Sequence, residues 1–293
     1  MGNLKEIRIR IASVESTQKI TSAMKLVSAA KLRRAQTAIV SLRPYTQKLN
    51  EILQNLAATV ETDSDMPLFA VRRPRNVIIV VITSNRGLCG SFNSNIIKEV
   101  NRTVHEQYAE QADAGLVKLI CIGKKANEYL SKSYEVLQFH ESLLDKPEFG
   151  IIADMAQFLM DEFTAKRVDR VEIIYNRFVN PATQHLERES FLPIEPLTMQ
   201  NSNKQLNSDY IFEPDKAQLM ETLLPKILKT KLYKTLIDSI ASEHGARMTS
   251  MAKATDNATE IIKDLKLKYN NARQSSITNE LIEIVSGAEA LNN

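Results

Sequence analysis

The chain has 293 residues, 43% of them apolar, with 38 Lys and Arg against 35 Asp and Glu. That is enough apolar material for a substantial core and too small a charge surplus to mark a nucleic-acid binder, while a disordered chain and a small disulfide scaffold are both excluded. With 8 Gly, 9 Pro and no Trp, it should hold much helix and few tight turns, which argues against an all-β architecture.

The first element is a long amphipathic helix. Leu4, Ile7, Ile11 and Val14, then Leu32, Ala35, Ile39, Leu42, Leu49, Leu53, Leu56 and Val60, recur at steps of three and four. Between the two runs Gln18, Thr21, Lys25 and Ser28 are polar, and the nearby apolar residues are Ile20, Ala23, Met24 and Val27. The pattern therefore predicts that the sticky face rotates about the axis partway along. Pro44 should bend the helix or loosen one turn. The first 43 residues carry nine Lys or Arg against Glu6 and Glu15, the composition of an organellar transit peptide or of a basic contact face.

The period changes after the polar stretch around Asp63 to Pro67. Val77 to Ile82 is wholly apolar and β-branched, as in a buried parallel strand. It is also the longest apolar run, far short of the roughly 20 residues a membrane-spanning helix needs. A helix over 93–110, a strand over 117–122, a helix over 124–131, a strand over 135–140, a helix over 147–165 and a strand over 171–175 follow. Gln184 to Phe191 reads as an antiparallel edge, and Thr198 to Ser208 as a loop. This alternation predicts a small α/β domain with a mostly parallel sheet.

From Pro214 the helical period returns. Met248, Met251, Thr255, Ala258, Ile262, Leu265, Tyr269 and Ala272 hold steps of three and four without a slip, a coiled-coil seam. The stripe then shifts to Ile277, Leu281, Ile284, Ala288 and Leu291. A helix from 215 to 290 would be roughly 110 Å long. The simplest closure is an antiparallel coiled coil of the terminal helices (1–62 and 214–293) around an inserted Rossmann-like α/β domain (63–213). The C-terminal helix then overhangs its partner from about Lys266, with an apolar tip that another protein must enclose.

Chemistry is weakly signalled. Thr83-Ser-Asn-Arg-Gly-Leu-Cys-Gly-Ser-Phe-Asn93 sits where open α/β sheets often bind phosphates, yet Gly87 and Gly90 form G-x-x-G rather than a dinucleotide or P-loop fingerprint. His105, His140, His185 and His244 have no metal-ligand spacing, Cys89 and Cys121 no C-x-x-C spacing, and no nucleophile elbow occurs.

Three blocks carry a resemblance: Ile9-Arg-Ile-Ala-Ser-Val with Thr17-Gln-Lys-Ile-Thr-Ser-Ala-Met-Lys25; Ser242-Glu-His-Gly-Ala-Arg-Met-Thr-Ser-Met-Ala-Lys-Ala-Thr-Asp-Asn-Ala258; and Ala272-Arg-Gln-Ser-Ser-Ile-Thr-Asn-Glu-Leu-Ile-Glu-Ile-Val-Ser-Gly-Ala288. They resemble the γ-subunit family of F-type ATP synthases. The final block fits its Ile-Thr-x-Glu-x-x-Glu signature through Ile277, Thr278, Glu280 and Glu283, followed by Gly287-Ala288. Thr83 to Asn93 resembles the family's glycine-containing turn.

The resemblance implies a central shaft inside a hexamer of α and β subunits. It further implies contacts with an ε subunit and a membrane ring of c subunits, one copy per complex, and no active site or cofactor on this chain, with MgATP bound by the α and β partners. Met24 would face an acidic loop of a β subunit, where a cation would pair too strongly. Arg273 and Gln274 would hydrogen-bond a β-subunit loop, helped by Arg247 and Thr278, while Tyr210 would contact ε and the c-ring. Ile284, Val285 and Leu291 would form a bearing tip. Family-like sequence begins within a few residues of Met1, which leaves no room for a leader and favours the cytoplasmic side of a bacterial plasma membrane. No thiol switch is expected of Cys89 and Cys121. A stand-alone coiled-coil scaffold and a nucleotide-using enzyme are the competing readings, and both leave the blocks unexplained.

Overall fold

The computed structural model describes residues 2–59, 67–194 and 216–291, with side chains over 4–49, 67–194 and 222–288. Two long helices bracket the chain, α1 (Gly2–Thr59) and α6 (Lys216–Leu291). Between them come β1 (Val77–Ile82), α2 (Phe92–Gln107), α3 (Ala109–Asp113), β2 (Val117–Ile122), α4 (Lys124–Leu130), β3 (Glu135–His140), α5 (Phe149–Thr164), β4 (Arg170–Asn180) and β5 (Thr183–Leu192). Compact packing divides the chain into Met1–Ala29 with Arg247–Asn293, and Ala30–Ala246, so each long helix contributes to both units.

In the larger unit the sheet order is β3-β2-β1-β4-β5, parallel except for the β4–β5 pair. Every residue of β1 is buried because both faces are covered, which is why the strand reads as an unbroken apolar run rather than an alternating one. Val77, Ile79 and Val81 join Ile96, Val100 and Val104 of α2, and Leu119 and Cys121 of β2, in one cluster. The period-2 geometry of a strand turns Ile78, Val80 and Ile82 to the other side.

Two bounds differ from expectation. The helix predicted over 93–110 is split at Tyr108, whose buried ring ends α2 and whose hydroxyl donates to Glu172 at 2.6 Å. The strand predicted to stop at Tyr175 runs to Asn180, since its second half is held by pairing with β5 as far as Asn180↔Thr183. α1 runs continuously through Pro44, and Thr46 Oγ1 donates to the Leu42 and Arg43 carbonyls across that turn.

In the smaller unit α1 and α6 pack antiparallel. Glu15 pairs with Lys266 at 3.3 Å, Gln18 with Thr259 at 2.8 Å and Thr21 with Thr255 at 2.9 Å. The pairing extends at least to Lys266. The sticky face of α1 rotates as expected: Gln18 and Thr21 hold the inward side, while Ile20 and Val27 face outward at 57% and 58% exposure. The heptad geometry outweighs side-chain polarity because the polar groups find partners across the seam.

Candidate partner-binding surface

All the residues singled out for subunit contact fall in the smaller unit except Tyr210, which lies outside the described residues. Met24 is half-buried, one turn from the outward-facing Ile20 and Val27. With Ile9 these make an apolar stripe on the outer face of α1. Ile20 and Val27 are the residues to which the sequence pattern turns the apolar face, whereas Ile9 was missed; its helical spacing to the others was the available signal.

Further along α6, Arg273, Gln274 and Thr278 are exposed. Thr278 Oγ1 donates to the Gln274 carbonyl at 2.9 Å, and both side chains line a shallow polar groove with Asn271, Ser275 and Asn279. Arg273 projects about 100° around the helix from Gln274 and does not line that groove. Asn271, Ser275 and Asn279 complete an amide and hydroxyl row at steps of three and four that sequence reading overlooked. Arg247 is buried and engaged in contacts rather than free for a partner.

Ile277, Leu281, Ile284 and Val285 are all exposed, Ile284 at 67%. The side chain of Leu291 lies outside the described residues. An apolar row of this length on one unaccompanied helix is the surface of a protein whose partner is elsewhere.

The turn after β1 tests the nucleotide reading. Gly123, with φ +101°, lets β2 enter α4 directly beneath the Thr83 carbonyl, where any Cβ would collide. The first three amides of α4, the helix that β2 leads into beside this turn, are taken by the chain itself. Lys124 N donates to Asn85 Oδ1 at 3.1 Å, Lys125 N to the Ser84 carbonyl at 3.1 Å and Ala126 N to Thr83 Oγ1 at 2.8 Å. Asn93 closes the loop, accepting from Ser84 N and donating to Ser84 Oγ at 2.7 Å. Ala246 of α6 belongs to the buried cluster beside Cys89 and Phe92, and Gly245 approaches Pro181 so closely that a Cβ would sit 3.2 Å from its backbone.

The other concave region of the larger unit is a cleft of about 560 Å³ whose charges pair among themselves. Buried Glu172 accepts from Tyr108 and from Arg170, and Glu189 accepts from Tyr175 and pairs with Lys231 at 3.5 Å. Burial and these carboxylates push both tyrosine phenols well above their ordinary range. Cys89 and Cys121 are buried and unbridged, and burial pushes the Cys121 thiol up to about 12. Among the described residues no His, Cys, Asp and Glu group could hold a metal, and no helix is long and apolar enough to cross a membrane.

The family model described as ATP synthase matches residues 3–291. An ATP synthase gamma chain from Flavobacterium psychrophilum is 53% identical over 291 residues, 99% of both chains. The chain belongs to the ATP synthase gamma family. A second gamma chain, from Flavobacterium johnsoniae, is 53% identical over the whole of both chains. The fold is that of a chain in the cryo-EM structure of the Euglena gracilis mitochondrial ATP synthase with OSCP, F1 and c-ring, at TM-score 0.70 and 21% identity over 99% of this chain and 95% of that one. Gamma-family membership makes this a non-catalytic, cofactor-free rotor subunit of the central stalk in a bacterial ATP synthase.

Proposed function

We propose that this rotor subunit couples ion-driven rotation of a membrane c-ring to the alternating conformations of three catalytic β subunits, in a hexamer with α, during ATP synthesis or hydrolysis. The observation that carries the reading is the unlike surfaces around the paired helices: an apolar stripe on α1, a polar groove on α6 and a bare apolar tip. A shaft with unlike faces, turned among equivalent neighbours, stabilises a different conformation in each by differential contact energy.

In this scheme Met24 faces an acidic β-subunit loop without an ion pair to hold it. Gln274 and Thr278 offer hydrogen bonds to a second β loop, with Arg273 reaching a different neighbour and Arg247 bracing the helix pair. Ile284, Val285 and Leu291 turn within an apolar sleeve, where no directional bond resists rotation. The α/β domain (63–213) stays outside the hexamer, and the segment with Tyr210 meets the ε subunit and the c-ring. One copy would serve each complex, peripheral to the cytoplasmic face of a bacterial plasma membrane.

ATP hydrolysis by co-expressed α and β subunits, measured with and without this chain and alongside the stoichiometry of the assembly, tests the reading. One copy bound to three αβ pairs with activity dependent on it is the expected result. A homo-oligomer that ignores α and β, or nucleotide turnover by the chain alone, would overturn it.

A further inference from the structure

On α1 the inward positions read Leu4, Ile7, Ile11 and Val14, then Gln18 and Thr21, with Met24 only half-buried, Lys25 exposed and Ser28 buried, so the apolar contact thins over this stretch. Opposite them α6 offers half-buried Thr255 and exposed Thr259 around the small buried Ala258, whereas Ile262 and Leu265 on one side and Met251 on the other are larger buried apolar rungs. The polar layer is internally complete. Gln18 Nε2 donates to Thr259 Oγ1, whose own proton goes to the Thr255 carbonyl at 2.9 Å. Thr255 Oγ1 donates to the Met251 carbonyl at 2.8 Å and lies 2.9 Å from Thr21 Oγ1, which itself donates to the Gln18 carbonyl at 3.0 Å.

Completeness is not the same as adhesion. The Gln18 and Thr259 ends of the layer reach solvent, so each bond across the seam has a water-bonded alternative of nearly equal energy when the helices part. A buried Ile or Leu rung has no such alternative and resists parting with its full apolar area. Coiled coils with polar seam positions gain register at a cost in stability for this reason.

We infer that residues 18–25 and 252–259 form a joint in the paired helices, the level at which they separate and twist most readily. Outward-facing Ile20 and half-buried Met24 lie on the same two turns of α1. If a partner bears on Met24, as proposed above, its push reaches the shaft at its most yielding level rather than at a rigid rung. The joint itself does not depend on that proposal.

Amide hydrogen exchange of the purified full-length chain, resolved by peptide, tests the inference. Amides of 18–25 and 252–259 should exchange about tenfold faster than those of both flanking stretches, 7–14 and 32–39 on α1, as a local maximum rather than a gradient from the helix end. Closing the layer with apolar rungs, Gln18→Leu and Thr21→Val together with Thr255→Val and Thr259→Leu, should bring it down to the rate of its flanks and raise the unfolding temperature. Uniform protection along α1 and α6 in the unaltered chain overturns the inference, whatever becomes of the variant. So does a folded variant whose layer exchanges no more slowly.

Discussion

The two units of this chain solve opposite problems with the same kinds of residue. The sheet unit closes on itself: β1 is buried on both faces, a buried carboxylate is met by a tyrosine and an arginine, and the amides at the start of α4 are capped by the preceding loop. The helix pair does the reverse, placing Gln18 and Thr21 inside and Ile9, Ile20, Val27 and Ile284 outside. The difference separates what folding needs from what assembly needs, because the second unit keeps polar groups inside while its apolar residues line the outer face of α1 and the tip of α6.

The comparison breaks most readily where the sheet unit has no slack. Gly123→Val adds a β-branched side chain at φ +101° against the Thr83 carbonyl and should cost more than about 3 kcal/mol, read as loss of cooperative unfolding of the α/β domain. Ile79→Ala, at a fully buried site in β1, should cost about 2–5 kcal/mol by denaturant titration.

Asp238 sharpens the contrast from the other direction. Burial, with Glu189 nearby, pushes its carboxyl up to about 6 from an ordinary 3.8, so folding penalises the ionised form. The contribution of Asp238 to stability is then most favourable below about pH 4 and is lost as the pH rises through 6. Asp238→Asn should add about 2 kcal/mol at pH 7, with the gain shrinking to nothing below pH 4. A gain that is equal at both pH values would remove Asp238 as its source.

The helix pair should show the smallest effects on folding and the clearest ones on assembly. Ile284→Ser with Val285→Ser should change stability by less than about 0.5 kcal/mol, while weakening association with the α and β partners in a pull-down. Met24→Lys should leave both unfolding and assembly unchanged and lower only the ions pumped per ATP hydrolysed. Unaltered coupling would remove Met24 from the contact surface.

Most of the sheet was legible because a buried strand writes its burial into consecutive residues: 77–82, 117–122 and 135–140 carry the bounds expected of them. The outer half of β4 was not, since Arg177 to Asn180 carry no strand signal of their own and are ordered by β5. The rotation of the apolar face of α1 to Ile20 and Val27 was legible too, whereas the partners of Gln18 and Thr21 were not, because Thr259 and Thr255 await them on a helix more than two hundred residues away. The polar groove was half legible: Gln274 and Thr278 came from family blocks, whereas Asn271, Ser275 and Asn279 needed the helix to be wound.

Doubly wound sheets offer amides at the carboxyl ends of their strands to phosphates, and those that open α4 beyond β2 are spent on Asn85, Ser84 and Thr83. That strand end is a closed corner, where a bound anion would have to displace the chain's own bonds.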